Sequence, residues 1–473
     1  MSKIKLPLFA LILSASLIIS ALFFTNRLDQ DFFSYYYTGR GITYGQDYFR
    51  DFAENKGPIN GYVIALLYLF FGNHFRLGLF LTSGIVDAVS VLLIYQIIKH
   101  FYPLSSSKTR FTFLLITLPL YKSFSLGSFM SSFYSESIAL FFFFLSMYLL
   151  LKKRPLFSGL IFSLSIMSRQ NIVFYLPLFI LLQKRDYSKH LRYFAGLVFG
   201  TIAIILPFIV KNTLSWLYQN MVIFALKYHN SVKNEIVNSL FSVIQVEFRI
   251  FFVIFFCLVA LIMLIVNKKA KYKLFTTISL IVSFYIILSG GIVYFHHFHF
   301  FILPFCLLLA FTLSYYQMLV APFLLLISLS LGLNYYLNIL SFDSPSLLHR
   351  QLNNISISRQ YVTVVPYYPE IYFYLDKQAP DRYYQHFFIL PFFNKSNQKD
   401  VLLHQQLSAD KLQQTDFIFV INNAFDQQMV NDYLNLFQSS FCLKQAQKTI
   451  FGPPQIIVFQ SQCQTNVLPE SSF

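Results

Sequence analysis

The sequence is poor in charged residues: Asp, Glu, Lys and Arg make up 12% of its 473 residues, about half the share found in soluble domains. Apolar residues take their place, with 56% hydrophobic residues, 58 Phe and 32 Tyr among them, and a mean hydropathy of +0.57. One water-facing surface cannot hide so many apolar side chains. The composition therefore excludes an ordinary soluble protein and indicates a chain embedded in a membrane.

Several motifs of familiar chemistry are also missing. The chain has four cysteines, and no spacing of Cys and His is typical of a zinc site. It has neither a Gly-rich phosphate loop nor a nucleophile motif. Cys257 and Cys306 lie in apolar stretches, whereas Cys442 and Cys463 lie in the C-terminal part, where a disulfide between them is left open. These absences give no support for a zinc enzyme or a cytoplasmic nucleotide site.

Apolar runs close to the twenty residues that a helix needs to cross a bilayer recur from end to end. We place membrane spans at 6–24, 77–98, 111–130, 137–151, 193–210, 250–267, 274–292, 300–318 and 320–340. A further apolar stretch, 157–182, is interrupted by Ser168-Arg169-Gln170-Asn171. We interpret it as a hairpin of two short helices with Arg169 at its outer tip, although one long helix is an alternative. The hairpin gives about eleven transmembrane helices.

The basic residues are distributed unevenly. Sixteen of the 36 Lys and Arg residues, but only one of the 20 acids, lie in the short loops 1–5, 99–110, 152–154, 183–192 and 268–273. Loops rich in Lys and Arg face the cytoplasm in multi-span proteins. The net charge of +16 therefore reports orientation and does not indicate a nucleic-acid partner. With a cytoplasmic N-terminus and the hairpin counted as two passes, the chain ends outside.

Two domains are predicted: a polytopic α-helical transmembrane domain over 1–340 and a small C-terminal α/β domain over 341–473, outside the cytoplasm. The first outer loop, 25–76, closes with the apolar segment 59–71, which is too short to cross a bilayer and predicts a surface helix. The tail alternates polar, helix-compatible stretches with β-rich runs at 362–365, 416–421 and 455–459. Its roughly 130 residues are enough for a core of their own.

Acids near a membrane are costly and invite a functional explanation. The first outer loop holds five of them: Asp29, Asp31, Asp47, Asp51 and Glu54. A carboxylate held at the bilayer surface by a helix end can accept a proton from a hydroxyl group, although ordinary solvated acids are the alternative. Asp87 lies inside the second span, where a hydrogen bond within the helix bundle is its simplest role.

The residues of this loop follow a recognisable order. Asp31-Phe32-Phe33-Ser34-Tyr35-Tyr36 is followed by Gly39-Arg40, Tyr44-Gly45, Tyr48-Phe49-Arg50-Asp51, Glu54-Asn55-Lys56-Gly57-Pro58 and Phe71-Gly72. This order resembles the first outer loop of the GT-C glycosyltransferases, the superfamily of protein mannosyltransferases and of the aminoarabinose transferases that modify lipid A (glycosyltransferase family 39-like). Weaker similarities follow at Ser135-Glu136, Ser168-Arg169-Gln170, His297-Phe298 before Pro304, and Ala379-Pro380-Asp381-Arg382-Tyr383.

The resemblance implies a GT-C-like fold and an inverting glycosyltransferase that takes a sugar from a polyprenyl-phosphate carrier. Asp31 would be the catalytic base, with Asp29 as its rival. Glu136 would be a second acid, a ligand for a possible divalent cation, or a structural partner of Lys122 or Arg169. Cations for the donor phosphate, where positive charge stabilises the departing group, would be Lys56, Arg169 and Arg40. Acceptor or sugar contacts would come from Glu54, Tyr48, His297, Arg382 and Tyr383.

No metal site is expected at His296, His297 and His299. In a helix His296 and His299 share a face that excludes His297, and no acid accompanies them in the sequence. No cofactor is required, apart from the possible divalent cation at Glu136. The expected partners are the polyprenyl-phosphate sugar donor, membrane lipids and a glycan, lipid or protein acceptor.

The family's relatives suggest a bacterial inner membrane with a periplasmic active face. Two other classes of function stay open. A transporter or lipid flippase would also be polytopic, but it typically has paired broken helices in two repeated halves, and no internal repeat is visible. A non-catalytic membrane scaffold would tolerate the loss of Asp31. An O-antigen ligase or polymerase is a further enzyme alternative, but its long outer loop usually comes late in the chain, whereas here it comes first.

Overall fold

The computed structural model describes the chain in segments. They are residues 6–22, 30–52, 56–102, 104, 106–125, 135–183, 186–224, 226, 236–246, 248–267, 272–289, 293, 295–316, 352, 361–365, 371, 375, 414–421, 443–449 and 455–461. Most of these residues are helical, and four strands lie near the C-terminus. The predicted span 320–340 and both C-terminal cysteines lie outside the described residues.

Fourteen α-helices are described. They are α1 Leu6–Leu22, α2 Gln30–Thr43, α3 Pro58–Phe71, α4 Phe75–Phe101, α5 Ser107–Ser125, α6 Ser135–Leu151, α7 Pro155–Ile166, α8 Leu176–Gln183, α9 Tyr187–Val210, α10 Leu214–Tyr218, α11 Ile236–Val246, α12 Phe248–Val266, α13 Lys273–Leu288 and α14 Ile302–Tyr315. Three 3-10 segments, Gly72–His74, Gln170–Tyr175 and Phe295–Phe301, and a π-helical segment, Gln219–Phe224, lie between them. The predicted interruption of 157–182 is confirmed, because α7 ends at Ile166 and α8 begins at Leu176.

Within the part of the chain that the structure describes, three stretches of helix are long and apolar enough to cross a membrane. They are Leu77–Phe101, Tyr187–Val210 and His296–Tyr315, and a fourth follows if α11 and α12 count as one bent span. Apolar helices of 10–17 residues, such as α6 and α13, accompany them. The total of eleven passes and their orientation stay predictions.

The helices pack around α14. Every residue from Ile302 to Leu313 is buried, and α4, α5, α12 and α13 all contact this helix. Burying an apolar side chain stabilises a soluble fold by about 1.5–3 kcal/mol relative to leaving it in water. Between membrane helices, association depends instead on close packing and polar contacts. The side chains of α9, in contrast, are largely exposed on one face, including Val198, Phe199 and Ile202.

Serines and glycines fix α7 between α6 and α9. Ser146 on α6 and Ser158 on α7 each donate a hydrogen bond to the other's backbone carbonyl, at 2.7 and 2.8 Å. Where α7 meets α9, a Cβ atom at Gly159 would overlap the carbonyl oxygen of Tyr193, and one at Gly196 would overlap that of Leu156. Small residues thus let the two backbones approach closely.

By internal contacts the chain divides into two compact units. One comprises Met1–Asp29, Lys56–Leu214 and His229–Phe342, and the other comprises Gln30–Asn55, Ser215–Tyr228 and Asp343–Phe473. The helical bundle around α14 belongs to the first unit. Helix α2 and the strands belong to the second.

The second unit contains a four-stranded sheet of β1 Tyr361–Val365, β2 Thr415–Ile421, β3 Leu443–Thr449 and β4 Gln455–Ser461, in the order β1-β2-β4-β3. Strands β1 and β2 are parallel, with Val364 opposite Ile418, and the other two pairs are antiparallel. The three predicted β-rich runs are confirmed as β1, β2 and β4. Strand β3 was not predicted, since its sequence, LKQAQKT, is mostly polar, with one β-branched residue and no aromatic residue to favour a strand.

Candidate functional site

The interruption between α7 and α8 places an arginine on an extended piece of chain. The amide of Met167 still donates to the Ser163 carbonyl, and the Ser168 hydroxyl donates to the Leu164 carbonyl at 2.8 Å, so these local bonds end the helix. Arg169 then has φ −147° and ψ 113°. An extended residue between two helices leaves its side chain outside both helical surfaces.

A second basic segment pairs with this interruption. The Gly57 amide donates to the Ser168 carbonyl at 3.2 Å, and the Ile59 amide donates to the Met167 carbonyl at 3.1 Å. A Cβ atom at position 57 would overlap the Met167 carbonyl oxygen, so only glycine permits this approach. Lys56 is half-buried and directly precedes Gly57, and Arg169 directly follows Ser168. The two basic residues therefore lie on adjacent backbone segments.

Glu136 is the counter-charge of Arg169. Its Oε1 atom lies 2.9 Å from Nη2 of Arg169, and the Glu136 side chain is 1% exposed against 17% for the arginine. Glu136 is the second residue of α6, where the amide dipoles of the helix favour a negative charge. The Ser135 hydroxyl donates to Oε2 at 3.1 Å. Of the two structural partners that the sequence proposed for Glu136, the structure selects Arg169.

The histidines near Arg169 lie on the 3-10 segment Phe295–Phe301. Nη2 of Arg169 lies 3.3 Å from Nε2 of His297, and because arginine can only donate, this nitrogen accepts and the ring is neutral. Nε2 of His296 lies 3.9 Å from Oε1 of Glu136, beyond hydrogen-bonding distance. Arg169 thus connects α6 to the histidine segment.

Buried hydroxyl and amide groups hold the histidine segment in place. The Tyr175 hydroxyl donates to the Phe300 carbonyl at 2.6 Å and lies 2.7 Å from the Ser283 hydroxyl of α13. The Asn171 side chain donates to the Ser289 hydroxyl at 3.1 Å. These bonds tie the α7–α8 interruption to the end of α13 and to the segment that carries the histidines.

One ligand atom each from Glu136, His296 and His297 lie within 4.8 Å of one another, close enough to hold a metal ion. The Arg169 guanidinium, however, already lies against the same carboxylate oxygen and the His297 ring. A divalent cation there would meet a fixed positive charge at close range. The arginine therefore disfavours a metal ion in this cluster, and the divalent cation at Glu136 stays a prediction.

A separate buried ion pair lies deeper in the bundle. Nζ of Lys122 on α5 is 2.7 Å from Oδ2 of Asp87 on α4, and both side chains are 0% exposed. The Ser83 hydroxyl donates to the same carboxylate oxygen at 3.2 Å. The Tyr121 ring packs edge-on against His299, with ring centroids 4.4 Å apart. Asp87 was expected to make a simple hydrogen bond within the bundle. In the structure its carboxylate forms an ion pair with Lys122.

Residues 30–55 of the first outer loop belong to the second unit. Asp31 is the second residue of α2, and the Arg40 guanidinium on the same helix lies 5.6 Å from the Tyr44 ring centre. The Tyr48 side chain is buried, which disfavours a direct sugar contact. The predicted site residues Asp29, Glu54, Arg382 and Tyr383 lie outside the described residues, as does the side chain of Asp31.

Two acids of this loop are held by one arginine. Nη1 of Arg50 lies 3.0 Å from Oδ2 of Asp47, and Nε lies 2.9 Å from Oδ1 of Asp51. The hydrogen bond to Asp51 raises the pKa of Arg50 above its ordinary value. Phe49 between them is fully buried with φ +72°, and the Asn220 side chain donates to its carbonyl at 3.3 Å. Asp47 and Asp51 are therefore structural in this turn.

Comparison with models of known protein families gives no match, and comparison with curated proteins gives none either.

Proposed function

We propose that the chain is a membrane glycosyltransferase that moves a sugar from a polyprenyl-phosphate carrier to an acceptor on the outer face of the membrane, with inversion at the anomeric carbon. One observation carries the proposal. The Gly57 and Ile59 amides donate to the carbonyls of Ser168 and Met167, although Gly57 and Ser168 lie 111 positions apart. This pairing brings the segment that carries Lys56 beside the segment that carries Arg169. These are two of the three segments whose cations the family resemblance assigns to the donor phosphate.

The cluster offers cations to such a ligand. Arg169 lies against Glu136 and donates to the neutral His297, and Lys56 lies on the neighbouring segment. A phosphodiester carries one negative charge, and cations beside it stabilise both the bound donor and the departing phosphate. In this proposal Glu136 is a positioning residue that fixes the guanidinium, and Asp31 remains the base that deprotonates the acceptor.

The experiment supplies labelled polyprenyl-phosphate sugars to the purified chain in lipid nanodiscs and follows release of the sugar. We expect Lys56→Met to raise the KM for the donor by about tenfold to a hundredfold, the usual size of a charged hydrogen bond. Lys108→Met, which removes an exposed cation from the start of α5, should leave the KM unchanged. If substitution of Lys56 and substitution of Arg169 both leave donor consumption unchanged, this cluster is not the donor site.

A second candidate is a transporter or lipid flippase, and the Asp87–Lys122 pair is the observation that favours it. A fully buried ion pair inside a helical bundle is costly, and charges in such positions often serve transport. The same nanodisc preparation separates the two functions. A transporter would move the carrier lipid between leaflets without forming a glycosidic bond, whereas a transferase would consume the donor.

A further inference from the structure

One carboxylate oxygen in the candidate site lies near two groups that can carry positive charge. Oε1 of Glu136 is 2.9 Å from Arg169 and 3.9 Å from Nε2 of His296. The guanidinium is close enough to neutralise the carboxylate, whereas the imidazole at 3.9 Å lies beyond hydrogen-bonding distance. Arg169 is thus the present partner of Glu136, and His296 is the nearby group that could become its partner.

A bound anion changes this balance. If a phosphate draws Arg169 toward itself, a carboxylate that is 1% exposed loses its counter-charge. A buried carboxylate without a partner costs several kcal/mol. The cluster must then either keep the arginine divided between two anions or take up a proton.

Of the three histidines, His296 is the one placed to accept that proton. Its side chain is 21% exposed, more than that of His297 or His299, and an imidazole changes its charge near neutral pH. His297 is 6% exposed and its Nε2 accepts from Arg169, while His299 is fully buried against Tyr121. A protonated His296 needs only a small side-chain movement to bond with Glu136.

We propose that the site binds its phosphate ligand and a proton together, and that His296, once protonated, replaces Arg169 as the partner of Glu136. The inference rests on the proposed function, because it requires a phosphate at Arg169. Thermodynamic linkage makes the coupling reciprocal: the proton strengthens phosphate binding as much as the phosphate strengthens proton binding.

The other ionisable groups around the histidine segment do not supply this proton site. Among the described residues they are Lys122 and Tyr121 on α5, Glu136 on α6, Tyr285 on α13, Cys306 on α14 and Tyr175, which donates to the Phe300 carbonyl, with Asp87 on α4 beyond Lys122. Asp87 and Lys122 neutralise each other at 2.7 Å. Tyrosine and cysteine are neutral near pH 7. Of the groups that the structure describes here, Glu136, Arg169, Lys56 and the histidines are left to set the charge.

The test measures binding of the methyl ester of polyprenyl phosphate, a phosphodiester whose single charge is constant from pH 5.5 to 8.5, to the full chain in nanodiscs. Calorimetry in two buffers with different ionisation enthalpies gives the number of protons taken up. For the wild type we expect uptake approaching one proton and a Kd that rises by up to about tenfold per pH unit. His296→Gln should bind more weakly, with no uptake and a flat pH profile.

Two further variants sharpen the test. Glu136→Gln removes the carboxylate that needs the proton, so it should bind the ester without proton uptake and with a flat pH profile. His100→Gln, an exposed histidine at the end of α4, should match the wild type. Melting temperatures identify any variant that fails to fold, and Glu136→Gln then tests the coupling independently of His296→Gln.

The outcomes separate the two proposals. Binding by the wild type without proton uptake, or uptake that survives in His296→Gln, overturns the proton coupling and leaves the proposed function standing. If His299→Gln abolishes uptake while His296→Gln retains it, His296 is the wrong residue and the exchange is overturned. If the wild type does not bind the ester at all, the coupling and the donor site both fail.

Discussion

Removing one partner of the Asp87–Lys122 pair should destabilise the bundle far more than removing both. The two groups are 2.7 Å apart and 0% exposed, and Ser83 is the polar side chain recorded on the same carboxylate oxygen. Breaking a buried pair leaves one uncompensated charge, which costs about 3–5 kcal/mol. Replacing both residues with apolar side chains of similar size is often neutral or stabilising. We therefore expect Asp87→Leu and Lys122→Met to lose about 3–5 kcal/mol each, and the double variant to recover most of that loss.

The assay is a double-mutant cycle on the free energy of unfolding, with the purified chain titrated with denaturant in mixed micelles. The exposed Asp186–Lys189 pair is the matched control and should show no measurable coupling. Single effects that add in the double variant would refute the reasoning.

Two further predictions concern chain segments that position the site. Gly57→Ala forces a Cβ atom onto the Met167 carbonyl oxygen, so it should lower stability by about 1–3 kcal/mol and weaken donor binding, as measured by thermal unfolding and by the donor KM. Asp186 caps α9 by accepting a hydrogen bond from the Lys189 amide, and hydrogen bonding to Lys189 lowers the pKa of Asp186. Its contribution is therefore present above the ordinary aspartate pKa and is lost as the pH falls through the lower folded value. Asp186→Asn keeps a capping side chain that does not titrate, so its melting temperature should fall less than that of the wild type between pH 5 and pH 3; equal falls would contradict the assignment.

Local patterns in the sequence predict the elements of the site well. Pro58 and an apolar run predict the helix that is α3, and polar Ser168-Arg169-Gln170-Asn171 predicts the interruption between α7 and α8. Both follow from propensities that act within a few residues. The β-branched run Val362–Val365 likewise predicts β1.

Contacts between distant segments could not be predicted in this way. Neither Gly57 nor Ser168 carries a signal for the other, because a backbone hydrogen bond uses groups that every residue except proline possesses. The Asp87–Lys122 pair depends on the depth and rotation of α4 and α5, which hydrophobic periodicity does not fix when a helix is apolar all round. Two opposite charges in adjacent apolar stretches were nevertheless a visible signal for that pair.

The histidine segment shows a third limit. The sequence predicts a helical span from 300, whereas the structure has a 3-10 segment over Phe295–Phe301 before α14 begins at Ile302. A 3-10 helix has three residues per turn, so His296 and His299 share a face, as expected for a helix. The acid near His296, Glu136, comes from α6, and a sequence pattern cannot bring a residue 160 positions away into a candidate cluster.

Consumption of a carrier-linked sugar is the measurement that tests the central claim most directly. The wild type and Asp31→Asn, equally abundant in nanodiscs, are given a pool of labelled polyprenyl-phosphate sugars, and release of the sugar from its carrier is followed. The account predicts that the wild type consumes at least one donor and that Asp31→Asn is slower by a hundredfold or more, roughly the contribution of a general base. A mutant that matches the wild type would contradict the role of Asp31, and a wild type that consumes no donor would contradict the proposed function itself.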